Sequence, residues 1–169
     1  MTVPTKSLTK TGAIAFSDIV GFTELTSDHG DDLALALIER HELLVTNALP
    51  HAARVVKQLG DGLLLFFEDP LEAVDALFAM HVAANDATVE GIPMWVRCGV
   101  HWGTPRVRGL DLIGHDVNLA SRVSALAAPG EIIATESFIQ QLDGRAANFC
   151  NVGPVFVKGV TEPITIWRH

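Results

Sequence analysis

Short apolar runs alternate with longer amphipathic stretches along the first half of the chain. The run over residues 13–18 (AIAFSD) predicts a first strand, because it is short and is followed by turn-forming residues. Residues 30–49 predict a helix, since Leu33 and Leu37 begin a stripe of apolar side chains at helical spacing. Pro50 marks the end of this helix. The first predicted elements are therefore a strand and a long helix.

A tight turn and a second helix follow the first helix. The sequence GDG at residues 60–62 lies between two apolar segments, 53–59 and 62–68, and predicts a hairpin. Asp69 is suited to cap the next helix, and the proline after it is suited to the first helical position. We expect this second helix to extend to about residue 88.

The second half of the chain contains shorter predicted elements. They are a strand, a helix, a short strand and a final hairpin, over residues 94–101, 115–127, 131–135, and 155–158 with 164–168. Up to the first of these strands, the order is the βαββαβ pattern of a ferredoxin-like sandwich, in which helices cover one face of a mainly antiparallel sheet. We therefore expect an α+β fold with this core and a C-terminal extension. The predicted organisation is a polar N-terminal arm (1–12) and a single domain (13–169).

Composition and charge restrict the classes of partner. The 169 residues carry a formal net charge of -8, which argues against a nucleic-acid partner because there is no basic stripe to contact a phosphate backbone. No apolar segment approaches the roughly 20 residues of a transmembrane helix, and the first residues lack the apolar region of a signal peptide. Cys98 and Cys150 form neither a disulfide framework nor a zinc site. A free, buried Cys98 in the reducing cytoplasm is expected.

Two aspartates lie at the edges of apolar runs. Asp18 ends the first predicted strand, and Asp61 lies in the hairpin turn, so a ferredoxin-like sheet would bring both to one edge. A carboxylate beside a buried strand is costly unless it is paired or binds a metal, and an all-oxygen site suits Mg²⁺ or Mn²⁺. Two such ions are a common device for phosphoryl transfer. The structural alternative is that Asp18 caps a turn and Asp61 favours the hairpin backbone.

Three separated segments carry a family resemblance, and they read FSDIVGFT, KQLGDG and DLIGHDVNLASR. They resemble, in the same order, the signature segments of the class III nucleotidyl cyclases, the catalytic domains of adenylate and guanylate cyclases. The resemblance spans about residues 13–167. It implies a ferredoxin-like domain that works as a dimer, with active sites between two subunits. It also implies that Asp18 and Asp61 bind two divalent metal ions, Mg²⁺ or Mn²⁺.

Lys57 and Asp111 match the positions that read the purine in this family. A lysine donates to N1 of adenine, and a carboxylate or backbone group accepts from its exocyclic amine. Guanine presents the opposite pattern at this edge and would leave buried polar groups unpaired. Family members that use GTP resemble one another in having an acidic residue where Lys57 stands, so the resemblance implies ATP as the substrate. Apart from the motif, Lys57 is an ordinary surface residue beside a hairpin.

Three further residues match catalytic or phosphate-binding positions. Asn118 and Arg122 are one helical turn apart on one face of the predicted helix. The resemblance implies that Asn118 orients the ribose and that Arg122 stabilises the charged transition state, for which its planar fork is suited. It implies that Lys158 binds the terminal phosphates. The structural alternatives are a polar outer helix face for the first two and a commonplace strand-end lysine for the third.

One segment departs from the family pattern. In HWGTPRVRG, Thr104 occupies a position that is often charged in relatives, and Trp102 and Pro105 are unusual. Arg106 and Arg108 are both candidates to replace an arginine that contacts phosphate in some relatives, and spacing does not decide between them. We expect the segment to form an arm or loop that reaches the partner subunit. His41 is one of five histidines without metal-ligand spacing, expected to be structural or exposed.

Together these features predict an adenylate cyclase that converts ATP to 3′,5′-cyclic AMP and pyrophosphate, as a homodimer with two equivalent sites. A guanylate cyclase is the alternative among enzymes, and Lys57 with Asp111 disfavours it. The alternative from another class is a catalytically silent cyclase-like domain that binds nucleotide or mediates dimerisation. Such a domain is expected to lack a metal-binding carboxylate or the arginine, and this chain has them all.

Overall fold

A seven-stranded sheet forms the centre of the computed structural model, which describes residues 8–169. Five helices and two small two-stranded sheets accompany it. In chain order the elements are β1 (Gly12–Ile19), α1 (Phe22–His29), α2 (Asp31–Ala48), β2 (Arg54–Leu59), β3 (Gly62–Phe67), α3 (Pro70–Asn85), β4 (Thr88–Val89), β5 (Ile92–Pro93), β6 (Val96–Gly103), β7 (Arg106–Arg108), β8 (Asp111–Ile113), α4 (His115–Ser124), β9 (Ile132–Thr135), α5 (Glu136–Ile139), β10 (Cys150–Val155) and β11 (Ile164–Arg168).

The large sheet has the strand order β10-β11-β9-β6-β1-β3-β2. Neighbouring strands are antiparallel except for β6 and β9, which run parallel. Strands β6, β1, β3 and β2 form the βαββαβ unit together with α2 and α3. This arrangement confirms the expected α+β, ferredoxin-like fold, and the elements from β7 onward form its C-terminal extension.

Both faces of the sheet are covered by helices. Leu37 of α2 and Leu77 of α3 are fully buried against one face, where Leu65 of β3 also points. The neighbouring Leu64 points to the opposite face and packs with Val117 of α4. Successive side chains of a strand alternate between faces, so β3 is apolar throughout because both of its faces are covered.

Several segments differ from the sequence predictions, among them α5 and the hairpin β4–β5, which were not predicted. The turn expected after β1 is followed at once by helix α1, which contains no buried residue and therefore leaves no apolar stripe in the sequence. The final hairpin begins with β10 at residues 150–155, not at 155–158. Gly153 and Pro154 are unfavourable residues for a strand, so the sequence pattern did not indicate one here. A proline is tolerated because β10 lies at the edge of the sheet. The other predicted boundaries agree with the structure to within three residues.

Residues 8–10 and the HWGTPRVRG segment lie side by side. This segment completes β6 and continues into the hairpin β7–β8, where a loop or arm was expected. The backbone N–H of Lys10 donates to the carbonyl of Pro105, and the N–H of Val107 donates to the carbonyl of Leu8. Residues 1–7 of the predicted polar arm lie outside the described residues. Within residues 8–169, no helix has the length and apolar character needed to cross a membrane.

Candidate active site

Asp18 and Asp61 lie next to each other at one end of the large sheet. Asp18 is near the end of β1, and Asp61 lies in the turn that leads from β2 to β3, the strand next to β1. The Asp61 Oδ2 atom accepts a hydrogen bond of 3.2 Å from the backbone N–H of Ile19. Gly62 permits this close approach, because a Cβ atom there would lie 3.2 Å from the Asp18 Cβ atom.

A cavity of about 240 Å³ opens beside the two aspartates, and we call it the carboxylate cavity. Asp18 and Asp61 line it from the sheet, and Ser121 and Ser124 line it from α4. Burial raises the pKa of Asp61, and the nearby charge of Asp18 raises it as well. A cation bound here would favour the ionised form of both carboxyl groups.

The carboxylate cavity offers the ligands that a hard divalent cation prefers. Carboxylate oxygens suit Mg²⁺ and Mn²⁺, and Mg²⁺ commonly combines one or two carboxylates with waters and substrate phosphates. In the described part of the chain, no group of three or more acidic, histidine or cysteine side chains is placed to hold a metal ion. Asp18 and Asp61 could supply part of the coordination of such an ion, and waters and substrate phosphates could supply the rest.

Arg97 is a residue of this site that the sequence analysis missed. It lies directly opposite Asp18 in the pairing of β1 with β6. Its Nε and Nη2 atoms donate to the two carboxylate oxygens of Asp18, at 2.9 Å each, and these hydrogen bonds raise the pKa of Arg97. An arginine within an apolar strand is a signal for a carboxylate partner. The identity of that partner depends on strand register, which the sequence pattern did not provide.

His41 is a second missed residue. His41 lies in the middle of α2, and its side chain is buried, with an exposed fraction of 2%. Its Nε2 atom lies 2.7 Å from the Ser17 hydroxyl, and its Nδ1 atom lies 3.1 Å from the backbone carbonyl oxygen of Asp61. The only signal in the sequence was a histidine on the apolar stripe of a helix, which does not reveal these partners.

Lys57 and Asp111 are brought together by β2 and β8. The Lys57 Nζ atom donates to Asp111 Oδ2 at 2.8 Å, and both side chains are partly exposed. The hydrogen bond from Lys57 lowers the pKa of Asp111. The pair can therefore present a donor and an acceptor side by side to a planar ligand.

Arg122 reaches from α4 to the turn beyond β10 that contains Lys158 and Gly159. The Arg122 guanidinium packs against Gly159, where an added Cβ atom would lie 2.7 Å from one of its nitrogens. Lys158, next to this glycine, is exposed in the turn before β11, and Asn118 is exposed one turn earlier on α4. Among the described residues that line the carboxylate cavity, none of these three is found, nor is the Lys57–Asp111 pair.

Thr104 lies in the short connection between β6 and β7, and the two nearby arginines lie on β7 itself. The backbone N–H of Thr104 donates to Asp116 Oδ2 at 2.6 Å, which ties the segment to the start of α4. Arg106 and Arg108 are both exposed on β7. Their positions assign neither of them to the carboxylate cavity.

Residues 5–169 match the family described as “Adenylate and Guanylate cyclase catalytic domain”. The chain belongs to this family. Adenylate cyclase from Streptomyces coelicolor is 32% identical to this cyclase domain over 132 residues, which are 77% of this chain and 34% of the relative. Adenylate cyclase from Streptomyces griseus is 32% identical over 131 residues, which are 76% of this chain and 32% of the relative. The chain thus spans about a third of the length of these two relatives.

The fold of this cyclase domain also matches a solved member of the family. The crystal structure of the adenylyl cyclase CyaB from P. aeruginosa superposes with a TM-score of 0.83 at 25% sequence identity. The match covers 96% of this chain and 95% of the CyaB chain. The ferredoxin-like core and its extension are therefore those of a class III cyclase catalytic domain.

Proposed function

We propose that residues 13–169 form one adenylate cyclase domain, which converts ATP to 3′,5′-cyclic AMP and pyrophosphate. The observation that carries the proposal is that Asp18 and Asp61, 43 positions apart in the sequence, line one cavity. The family match supports a nucleotidyl cyclase, and the two Streptomyces relatives, both named adenylate cyclase, support ATP as the substrate. Free Cys98 and Cys150, together with ATP as the substrate, favour the cytoplasm as the location.

The reaction is a displacement at the α-phosphorus of ATP. The ribose 3′-oxygen forms a bond to this phosphorus, the bond to the β-phosphate bridging oxygen breaks, and pyrophosphate carries away the electron pair. The proton of the 3′-hydroxyl passes to solvent or to Asp18. Two divalent ions, Mg²⁺ or Mn²⁺, held by Asp18 and Asp61 would lower the pKa of that hydroxyl and neutralise charge on the triphosphate.

The remaining polar residues would bind the nucleotide and its developing charge. Arg122 would donate two hydrogen bonds to phosphate oxygens while negative charge builds at the reacting phosphorus. Lys158 would bind the terminal phosphates, and its place in the chain directly before Gly159, against which Arg122 packs, supports a common phosphate-binding region. Asn118, exposed on the same helix as Arg122, would orient the ribose.

We assign the two halves of each active site to different subunits of a homodimer. In this proposal Asp18 and Asp61 of one subunit face Arg122 and its neighbouring polar residues of the other. None of these groups lines the carboxylate cavity within the described chain, which supports this division. Because one chain carries both halves, a symmetric dimer would contain two equivalent sites.

ATP is proposed over GTP because of the Lys57–Asp111 pair. Adenine would accept from Lys57 at N1 and donate its amine to Asp111. Guanine would place its N1–H against the lysine donor and its O6 against the aspartate acceptor, so both contacts would be mismatched. The pairing of the two side chains at 2.8 Å supports their use as one recognition unit.

The first test is a product assay with ATP and GTP, in the presence of Mn²⁺ or Mg²⁺. We expect cyclic AMP from ATP, and we expect Asp18→Ala and Asp61→Ala each to keep less than about a tenth of the rate, because each removes a metal ligand. Asp86→Ala, at an exposed aspartate after α3, is the matched control and should keep the wild-type rate. Cyclic GMP as the main product would indicate a guanylate cyclase, and no cyclic product would indicate a silent domain.

A further inference from the structure

His41 joins the two aspartate-bearing segments from α2, which covers one face of the sheet together with α3. It lies on the apolar stripe of α2, with buried Leu37 one turn before it and Val45 one turn after it. Its ring contacts the Ser17 hydroxyl through Nε2 and the Asp61 carbonyl oxygen through Nδ1, at 2.7 and 3.1 Å. A single side chain therefore spans β1 and the turn between β2 and β3.

The direction of both hydrogen bonds follows from the chemistry of the partners. The Asp61 carbonyl oxygen can only accept, so Nδ1 of His41 carries the hydrogen and donates. In the neutral ring Nε2 is then an acceptor, and the Ser17 hydroxyl donates to it. Burial lowers the pKa of His41, which favours this neutral form.

Hydrogen bonds connect Asp61 to the residues immediately before and after Asp18. The Asp61 backbone carbonyl is tied through His41 to Ser17, the residue before Asp18. The Asp61 carboxylate is tied to the backbone N–H of Ile19, the residue after Asp18. Leu59 and Gly62 pair on either side of the turn and close it. The contacts of His41 and of the Ile19 N–H add to this restraint and tie Asp61 to β1 and α2.

We propose that His41 is a positioning residue that sets the spacing of the two metal-binding carboxylates. It does not touch metal or nucleotide. It fixes the backbone of Asp61 relative to Asp18, as residues behind the ligands commonly do in metal sites. This inference rests on the proposed function, because it assumes that Asp18 and Asp61 hold divalent ions. Burying an imidazole among leucines costs free energy unless its nitrogens are hydrogen-bonded. An apolar side chain at this position would avoid that cost.

Mn²⁺ binding tests this proposal directly and does not depend on turnover. The binding is measured by electron paramagnetic resonance in the presence of α,β-methylene-ATP, which cannot be cyclised. His41→Leu should weaken Mn²⁺ binding by about tenfold or more, the usual effect of losing a residue behind a metal ligand. His41→Asn retains a donor toward the Asp61 carbonyl and should recover part of the affinity. Ser17→Ala should also weaken binding, because it removes the other end of the link.

Val45→Ala is the matched control on the same stripe of α2. It creates a cavity in the core and should lower the melting temperature, while Mn²⁺ affinity stays within about twofold of wild type. With ATP as the substrate, His41→Leu should lower kcat by about tenfold and leave KM within about threefold. A purely structural role would instead give His41→Leu the behaviour of Val45→Ala.

Two results would overturn the inference, and they have different meanings. If wild type binds Mn²⁺ and loses this binding in Asp61→Ala, but His41→Leu binds it like wild type, His41 does not position the site. If Asp61→Ala binds Mn²⁺ like wild type, Asp61 is not a metal ligand and the two-metal site of the proposed function fails as well. If His41→Leu does not fold, His41→Asn and Ser17→Ala decide, since wild-type affinity in both would contradict the role.

Discussion

Asp18 and Asp61 bring two negative charges together, and Arg97 offsets one of them through two hydrogen bonds of 2.9 Å. Asp61 has a different environment, because partial burial and the charge of Asp18 both raise its pKa. A group whose pKa is raised in the folded state destabilises the fold once it is ionised. At the residue scale, the carboxylate cavity is therefore better suited to binding a cation than to stabilising the protein.

Asp61→Asn should raise the melting temperature at pH 7 in the absence of divalent cations. The amide keeps an acceptor for the Ile19 N–H and removes the charge that burial penalises. The difference from wild type should shrink as the pH falls through the raised pKa of Asp61, because the wild-type carboxyl group then becomes neutral. Circular dichroism melts at pH 7 and pH 4.5 with a chelator provide the measurement. An equal or lower melting temperature for Asp61→Asn at pH 7 contradicts this view of the site.

The Lys57–Asp111 pair predicts base selectivity. Wild type should favour ATP over GTP by at least about tenfold in kcat/KM, since each mismatched contact costs roughly 1–3 kcal/mol and ~1.4 kcal/mol is a factor of ten. The double variant Lys57→Glu with Asp111→Gly reverses the donor pattern and makes room for guanine, so it should lose most ATP activity and gain relative preference for GTP.

The control for base selectivity is a second exposed ion pair. Lys10 and Glu68 form a salt bridge on the surface, and Lys10→Glu with Glu68→Gly makes the same change of charge there. This control should keep the wild-type preference for ATP. Equal use of ATP and GTP by wild type, or an unchanged preference in the Lys57/Asp111 variant, would mean that the pair does not read the base.

At the scale of elements, the sequence is informative wherever burial produces a regular pattern. Strand β3 and helices α2 and α3 are predictable because their apolar residues must face a core. Helix α1 and strand β10 are not, because α1 buries no residue and β10 is an edge strand containing glycine and proline. The contacts of Arg97 and His41 were missed for a related reason: they depend on register and helix placement, which emerge only when the sheet is assembled.

We expect Gly159, in the turn between β10 and β11, to affect catalysis through its contact with Arg122. Gly159 has a φ of 76°, and a Cβ atom there would collide with the Arg122 guanidinium. Gly159→Ala should therefore displace Arg122 and lower kcat by about tenfold or more, since small misplacements of catalytic groups are costly. Gly144→Ala has a similar φ of 83° and nothing within 4 Å of the added Cβ atom. Both variants should lose similar stability, and equal kcat values would show that Gly159 matters only for its backbone.

At the scale of the whole molecule, the proposed site is divided between two copies of the chain. The carboxylate cavity lies at the end of β1 and β3, while Arg122 lies against Gly159 beyond β10, and Lys57 lies on β2. Lys57 is on an edge strand, and Arg122, although it is on the helix whose Ser121 and Ser124 line the cavity, points toward Gly159 and does not line the cavity itself. In a dimer, Asp18 of one subunit and Arg122 of the other would form one active site. This sharing can be tested by mixing variants.

The most direct test of the account mixes two inactive variants, Asp18→Ala and Arg122→Ala. One of the two sites in a mixed dimer would combine an intact Asp18 with an intact Arg122, and the other site would carry both lesions. With random pairing half of the dimers are mixed, so an equal mixture should recover about a quarter of the wild-type rate of cyclic AMP formation. Each variant alone should stay inactive. Absence of recovery in a mixture shown to contain mixed dimers would contradict an active site shared between subunits.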